Sequence, residues 1–383
     1  MNVILNTQSL QSDLTGIGRY TQNLLKGLQM HNIINRVICI PSFKECNKIV
    51  KKTYFVNQFK KIIKFFPGTY SLFSDYRNKR FIKKTRFLVH DKYIYHEPCY
   101  ILNSYSGPKI CTIHDLSHIH YPEYHPKERV KYLGYNLPTS INNADHIITG
   151  SDFIRSELIN FFSIPPNKIT RIYHGISNVF KVRDFYEIKI TLQRYNLHNK
   201  SYLLYVGTLE PRKNLESLIQ SFKQLPDQQR KKYPLVLVGM TGWKTGHLEK
   251  LIKKLIKQEQ LYFLGYVSES DLPFLYSGAY GFIYLSIYEG FGLPLLEAMA
   301  SGIPTLASDQ SSMPEVVGNA ALMVNPFDID GITNKLNQLI SDLTMRDRLK
   351  QLGPIQAAKF SWESCIENTI LIYRQTLKSY GIN

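Results

Sequence analysis

A chain of 383 residues suggests two domains of ordinary size, and 44% apolar with 13% aromatic residues is ample for buried cores in a globular protein. No run of about eighteen apolar residues occurs, and the start MNVILNTQSL lacks the charged head and long apolar body of a signal peptide, so a cytoplasmic protein is expected. A formal charge of +17 calls for an anionic partner or surface and leaves nucleic acid, acidic membrane and phosphorylated ligands open.

The first predicted element is a short apolar strand, Val3 to Leu5. A glycine loop, Thr15-Gly16-Ile17-Gly18-Arg19, and a helical pattern through Leu24, Leu25 and Leu28 follow it. Strand, glycine turn and helix make half a Rossmann unit. As a dinucleotide fingerprint the loop is incomplete, because a third glycine and an acidic residue closing the next strand are missing; a plain tight turn with a surface arginine is the other reading. Val37 to Ile40 reads as the next strand. Between Lys44 and Lys92 basic residues far outnumber acidic ones and alternate irregularly with aromatics, as in Phe59-Lys60-Lys61-Ile62-Ile63-Lys64-Phe65-Phe66.

Tyr100 to Asn103 and Lys109 to Ile113 are expected as strands, the second running into His114-Asp115-Leu116-Ser117-His118. A polar pair at the C-terminal end of a parallel strand points into the crevice where open α/β sheets bind ligands. A zinc set of His114, His118 and His120 lacks a cysteine or paired carboxylate to complete it, so no metal site is expected. Helix His125 to Asn142, strand His146 to Thr149, a helix capped by Ser151 and strand Ile169 to Tyr173 lead to a polar, aperiodic stretch up to Lys200, read as the domain linker. The five cysteines, Cys39, Cys46, Cys99, Cys111 and Cys365, are scattered without CxxC spacing and are expected to be reduced.

The second half opens as the first did, with strand Tyr202 to Val206 and a turn at Gly207. Glu210-Pro211-Arg212-Lys213-Asn214 then enters a helix carrying Leu215, Leu218, Ile219 and Phe222. Cations in a helix's first turn oppose the macrodipole, at ~0.3–1 kcal/mol each, unless an anion binds there; Arg212 and Lys213 therefore read as a diphosphate clamp. Strand Leu235 to Gly239, helix Leu248 to Ile256, strand Tyr262 to Gly265 and a helix capped by Ser268 precede the most informative stretch, YLSIYEGFGLPLLEAMASGIP from Tyr284 to Pro304. The apolar run Phe282 to Ile287 reads as a buried strand, Glu289-Gly290-Phe291-Gly292 as a loop, and Leu293-Pro294 as the start of a helix that Gly302 ends. Backbone amides and the macrodipole at that N-terminus favour a phosphate. Glu289 in the loop and Glu297 in the helix have the spacing E-x7-E, so one can face a sugar and the other a ribose diol. Ser312-x-x-Glu315 reads as a capping box, and Asp328-Ile329-Asp330 as a helix N-cap rather than a metal-binding D-x-D.

The string EGFGLPLLEAMASGIP, with its glycines, proline, both glutamates and the closing Gly-Ile-Pro in order, resembles the signature of the retaining glycosyltransferases of family 4, which have the GT-B fold. The resemblance implies an α/β protein of two Rossmann-like doubly wound parallel-sheet domains facing a cleft. It divides the chain into 1–180, an acceptor domain, 181–358, a nucleotide-sugar domain, and a helix in 359–383 that crosses back to the first. It further implies that His114 lies beside the donor sugar and that Arg212 and Lys213 hold the donor diphosphate, although Thr208 stands where many relatives have an arginine after the glycine. Glu289 then serves the transferred sugar, and Gly16, Gly18, Gly207, Phe291, Gly292, Leu293 and Glu297 surround the donor. TGIGRYTQNLL resembles the first loop of the same family. Retention of anomeric configuration, independence of metal or other cofactors, and a lipid-linked saccharide acceptor on the inner face of the plasma membrane complete the expectation. The resemblance runs closest to mannosyltransferases of O-antigen synthesis, which makes GDP-mannose the first donor and a UDP-hexose the second. A basic nucleic-acid-binding protein would explain the charge but not paired glutamates at a phosphate-binding helix, so nucleic acid is not expected as a partner. A Rossmann oxidoreductase would need a complete fingerprint, and a nucleotide-sugar epimerase of the same fold would form product without acceptor.

Overall fold

The computed structural model describes residues 1–11, 15–45, 69–89, 91–240 and 246–382, and the chain divides into two compact units. Met1–Gly175 with Trp362–Asn383 forms the N-terminal unit, and Ile176–Ser361 the C-terminal unit.

The N-terminal sheet has the order β3-β2-β1-β4-β5-β6-β7. Its strands are β1 (Asn2–Asn6), β2 (Arg36–Ile40), β3 (Lys44–Glu45), β4 (Tyr93–Glu97), β5 (Lys109–Ile113), β6 (His146–Thr149) and β7 (Ile169–Arg171). All pair in parallel except the edge strand β3, which runs antiparallel to β2. Helix α1 (Gly16–Met30) buries Tyr20, Leu24, Leu25 and Leu28 on one sheet face, and α2 (Thr69–Thr85) and α3 (Lys127–Asn143) flank the other. The alternation of Val3 and Leu5 with Ile4 splits β1 between the two cores, as a strand buried on both faces requires.

The strand expected at Tyr100–Asn103 is displaced to β4. Tyr100 has φ +58°, outside the extended region, and its amide donates to the Thr112 carbonyl at 3.1 Å from a loop. Strand β4 ends in two ionisable residues that are nonetheless buried. His96 sits between the Tyr373 hydroxyl, at 2.6 Å, and the Thr112 hydroxyl, at 2.8 Å. Satisfied partners let polar residues occupy a core strand that composition alone disguises.

The C-terminal sheet is wholly parallel, in the order β10-β9-β8-β11-β12-β13. The strands are β8 (Leu203–Val206), β9 (Leu235–Val238), β10 (Leu261–Gly265), β11 (Gly281–Tyr284), β12 (Thr305–Ser308) and β13 (Leu322–Val324). Within the stretch read as linker lies a helix, α4 (Phe185–Arg194), started by a capping box in which Asp184 and Glu187 satisfy each other's backbone amides. Helix α5 (Leu215–Gln224) buries Leu215, Leu218, Ile219 and Phe222, and α6 (Leu293–Ala300) follows β11. The last helix, α7 (Trp362–Ser379), packs Ile366, Ile370 and Tyr373 into the N-terminal core beside α1.

Strand order reverses between β1 and β4 in the first unit and between β8 and β11 in the second. In doubly wound sheets the crevice beyond the C-terminal ends of such strands is where ligands bind. Each unit therefore has one place where a site belongs.

Candidate active site

In the C-terminal unit the loop after β8 and the loop after β11 bring Arg212, Lys213 and Glu289 into one cluster. Arg212 Nη1 lies 3.1 Å from Glu289 Oε2, Lys213 Nζ 2.5 Å from Glu289 Oε1, and Arg212 Nη2 2.8 Å from Glu210 Oε1. Lys213 also donates to the Tyr284 hydroxyl at 2.7 Å, which in turn donates to Glu289 at 3.0 Å. Arg212 Nη1 donates to the Tyr288 carbonyl, and the Arg212 carbonyl accepts from the Ile287 amide at 2.9 Å, so the two loops are tied in both directions. Burial resists ionisation of Glu289, but Arg212 and then Lys213 outweigh it and hold its carboxyl at about 2. Glu289 is thus ionised at neutral pH.

This corrects the premise on which Arg212 and Lys213 were first identified. They lie not in the first turn of α5 but in a separate 3-10 turn, Pro211–Lys213, ahead of Asn214, which is left-handed with φ +54°. Their charges are balanced by Glu210 and Glu289 rather than left facing a helix dipole.

Gly292 precedes α6 with φ +108°, a backbone state that a side chain would strain, and this lets the chain turn directly from the loop into the helix. Leu293 is the first helical residue. The ring of Phe291 is buried edge-on to Phe360, with centroids 5.7 Å apart. Glu297 is 3% exposed and accepts from the Tyr276 hydroxyl at 2.8 Å. Gly207 sits at the end of β8, its amide donating to the Val238 carbonyl at 2.9 Å.

Ser312 is the residue that sequence reasoning misassigned. Its side chain makes no cap; its hydroxyl instead bonds to the carbonyls of Glu289, at 2.8 Å, and Phe291, at 3.1 Å, while Ser311 Oγ accepts from the Glu289 amide at 2.9 Å. Both serines fix the loop that carries Glu289. Asp328 caps its helix as expected, accepting from the Gly331 amide at 2.9 Å.

In the N-terminal unit Gly16 and Gly18 belong to the first turn of α1 rather than to a loop before it. Two residues on, Tyr20 meets the His114 ring edge-on at 5.2 Å and the His174 ring at 4.7 Å, and Trp362 stacks on His174 at 6.1 Å. His114 Nε2 donates to the Pro98 carbonyl at 2.8 Å. Burial depresses the His114 pKa and the Pro98 hydrogen bond offsets only part of that, so the ring is neutral at physiological pH. His118 is also buried and pushed down to about 4, whereas His120 pairs with Glu157 at 3.1 Å.

A glycine-turned helix N-terminus, a carboxylate bridged to two cations at the switch point, and two doubly wound units define a GT-B glycosyltransferase. The chain belongs to glycosyltransferase family 4. Residues 14–178 match the family model described as Glycosyltransferase Family 4, and residues 189–355 that described as Glycosyl transferases group 1. The chain is 36% identical to the O-antigen chain mannosyltransferase B of Escherichia coli over 98% of this chain and 100% of that protein. It is 33% identical to the O-antigen chain mannosyltransferase RfbU of Salmonella typhimurium over 57% of this chain and 56% of that one. Among solved structures, sucrose-phosphate synthase from Thermosynechococcus elongatus shares the fold with TM-score 0.74 at 18% identity, over 99% of both chains. WaaG, a glycosyltransferase involved in lipopolysaccharide biosynthesis, does so with TM-score 0.69 at 15% identity, over 96% of this chain and 98% of that one.

Proposed function

We infer that this enzyme transfers mannose from GDP-mannose to a lipid-linked saccharide during O-antigen assembly, with retention of configuration and without a metal ion. The observation that carries the reading is the identity of 36% with an O-antigen chain mannosyltransferase along both chains. A UDP-hexose is the alternative donor.

Arg212 and Lys213 would neutralise the departing diphosphate, with the amides at the start of α6 assisting. Lys213 has three N–H donors, of which Glu289 and Tyr284 take two, so one can turn to a phosphate oxygen. Glu289, ionised and fixed by two cations, would accept from hydroxyls of the hexose, and Glu297 from the ribose diol. His114, neutral, would contact the donor sugar rather than attack it. Gly16, Gly18, Gly207, Gly292, Leu293 and the Phe291 backbone would border the donor.

Among the described residues no helix is long and apolar enough to cross a membrane. Phe59, Phe65 and Phe66, the aromatics that would anchor the chain peripherally on the inner face of the plasma membrane, lie outside the described residues. The charge of +17 supports attraction to anionic lipid, at about 1 kcal/mol per basic residue near the surface. Vesicle flotation indifferent to anionic lipid and to salt would remove this part of the reading.

Thermal shift with GDP, UDP and their sugars tests the donor: a nucleotide at a hundred times its dissociation constant stabilises by about 2.7 kcal/mol. GDP and GDP-mannose should raise Tm. Glu297→Ala should lose most of the shift caused by free GDP, whereas Glu289→Ala should keep it. An unchanged GDP shift in Glu297→Ala contradicts the ribose assignment.

A further inference from the structure

A buried carboxylate to which the reaction has so far given no role stands at the switch point of the N-terminal unit. Glu97 ends β4 and is 2% exposed. Asn6 Nδ2, from the end of β1, and the Tyr95 hydroxyl each donate to its Oε2 at 2.6 Å, and the Cys99 amide donates to Oε1 at 3.2 Å. Asn103 Nδ2 supports the set by donating to the Tyr95 oxygen at 2.7 Å. Among the described residues, every hydrogen-bond partner of Glu97 is thus a donor. Such surroundings suit an ionised carboxylate, because the proton of a carboxylic acid would have to displace one of them.

The loop after β4 carries this arrangement to His114. The Pro98 carbonyl accepts from His114 Nε2 at 2.8 Å. A carbonyl can only accept, so Nε2 bears the proton and Nδ1 keeps the lone pair of the neutral ring. The Pro98 carbonyl and the Cys99 amide belong to one peptide group, whose atoms share a plane. One rigid unit therefore bonds Glu97 through its N–H and His114 through its oxygen, and if the amide turns away from Glu97 the carbonyl turns away from the ring. The next residue holds the loop from the other end. Tyr100, at φ +58°, donates its amide to the Thr112 carbonyl at 3.1 Å, accepts from Cys111 Sγ at 3.1 Å, and sets its ring edge-on to His114 at 5.9 Å. Backbone in that region persists only where its surroundings hold it.

We propose that Glu97 is a positioning residue for the transfer, its carboxylate fixing the tautomer and the aim of His114 through the Pro98–Cys99 peptide. This rests on the reading of His114 as the group that contacts the donor sugar. The negative charge polarises the peptide and makes the Pro98 oxygen a stronger acceptor, so Nδ1 is presented as an acceptor for a sugar hydroxyl. Without the charge the ring is free to turn or to move its proton to the other nitrogen.

The device responds to pH. Burial holds the Glu97 carboxyl up at about 7, against the pull of Tyr95, Asn6, Cys99 and, from α2, Arg77. Burial also pushes up the Tyr95 and Tyr100 hydroxyls and the Cys99 and Cys111 thiols, and pushes down His96, His114, His118 and His174, so these stay uncharged near neutrality. On the far side of the loop Arg129 of α3 acts on Cys99, and Asp115 on His114.

The test follows kcat against pH for transfer from GDP-mannose by the full chain, together with NMR of histidine labelled at the ring nitrogens. Wild-type kcat should fall as pH drops through about 7. Glu97→Gln has one acceptor oxygen where two are used; it should lower kcat about tenfold or more above that pH, change KM little and abolish the limb. Tyr95→Phe keeps the ring packed on Phe81 but removes one donor to the carboxylate, so its limb should move to higher pH, a readout that survives if Glu97→Gln fails to fold. In the spectrum, with His114 identified by its loss in His114→Gln, the proton should sit on Nε2 in wild type above that pH and be shared between both nitrogens in Glu97→Gln. A limb unmoved in either variant, with the tautomer unchanged, overturns the positioning role. A His114→Gln enzyme with wild-type kcat sinks the reading of His114 instead, a result separate from the spectrum, which reports whether Glu97 holds the ring.

Discussion

At the scale of single residues, the site depends on charges held in low dielectric by their neighbours. On the proposed role of Arg212 and Lys213 as preorganised donors to the departing diphosphate, Arg212→Ala and Lys213→Ala should each lower turnover by ~10²–10³; a loss under threefold for both would show that the diphosphate is neutralised elsewhere. Each also leaves Glu289 buried with one counter-charge fewer, which costs roughly 3–5 kcal/mol when a buried pair is broken. Glu97 gives a second, independent signal. Its folded pKa is raised from 4.5 to about 7 by burial, so its contribution to stability is full below 4.5 and is lost as pH rises through 7. Glu97→Gln should flatten the fall in Tm over that window, and a variant whose Tm still falls as steeply would locate the titration in another group. Glu97 was not legible from sequence because a carboxylate inside a buried strand contradicts the composition expected of one; only the pairing of β1 with β4 reveals that Asn6 and Tyr95 satisfy it.

Elements explain how those residues come to their positions. The strand, loop and helix around Glu289 were legible because apolar run, glycine and proline each signal a local conformation, and Gly292 at φ +108° realises the expected turn. Ser312 was not, since S-x-x-E has the local spelling of a capping box while its hydroxyl is taken by two carbonyls some twenty residues earlier in the chain. Ser312→Ala should remove the bond that its hydroxyl makes to these carbonyls, destabilise by about 1–3 kcal/mol and lower kcat/KM through the Glu289 loop. A melt and turnover equal to wild type would show that Ser311 alone holds the loop. Helix α4 escaped notice because Tyr186 and Ile190 are exposed, which blurs the apolar stripe that marks a surface helix; only its capping box, Asp184 with Glu187, was a local signal.

For the whole molecule, two doubly wound sheets of the same plan each place a switch point at the C-terminal ends of their strands, and each carries a cluster of buried polar groups there. The alternation of strand and helix made that plan readable before any coordinates, because parallel sheets buried on both faces leave continuous apolar runs such as Leu203–Val206 and Leu235–Val238. The central claim is mannosyl transfer with retention, driven by protein cations instead of a metal. Its most direct measurement is transfer from GDP-mannose, an α-linked donor, to a mannose-terminated acceptor in the presence of chelator, with the new linkage read by NMR. An α-linked mannose formed at an undiminished rate is the expected result; a β-linked product, or activity abolished by chelator and restored by magnesium, would contradict it.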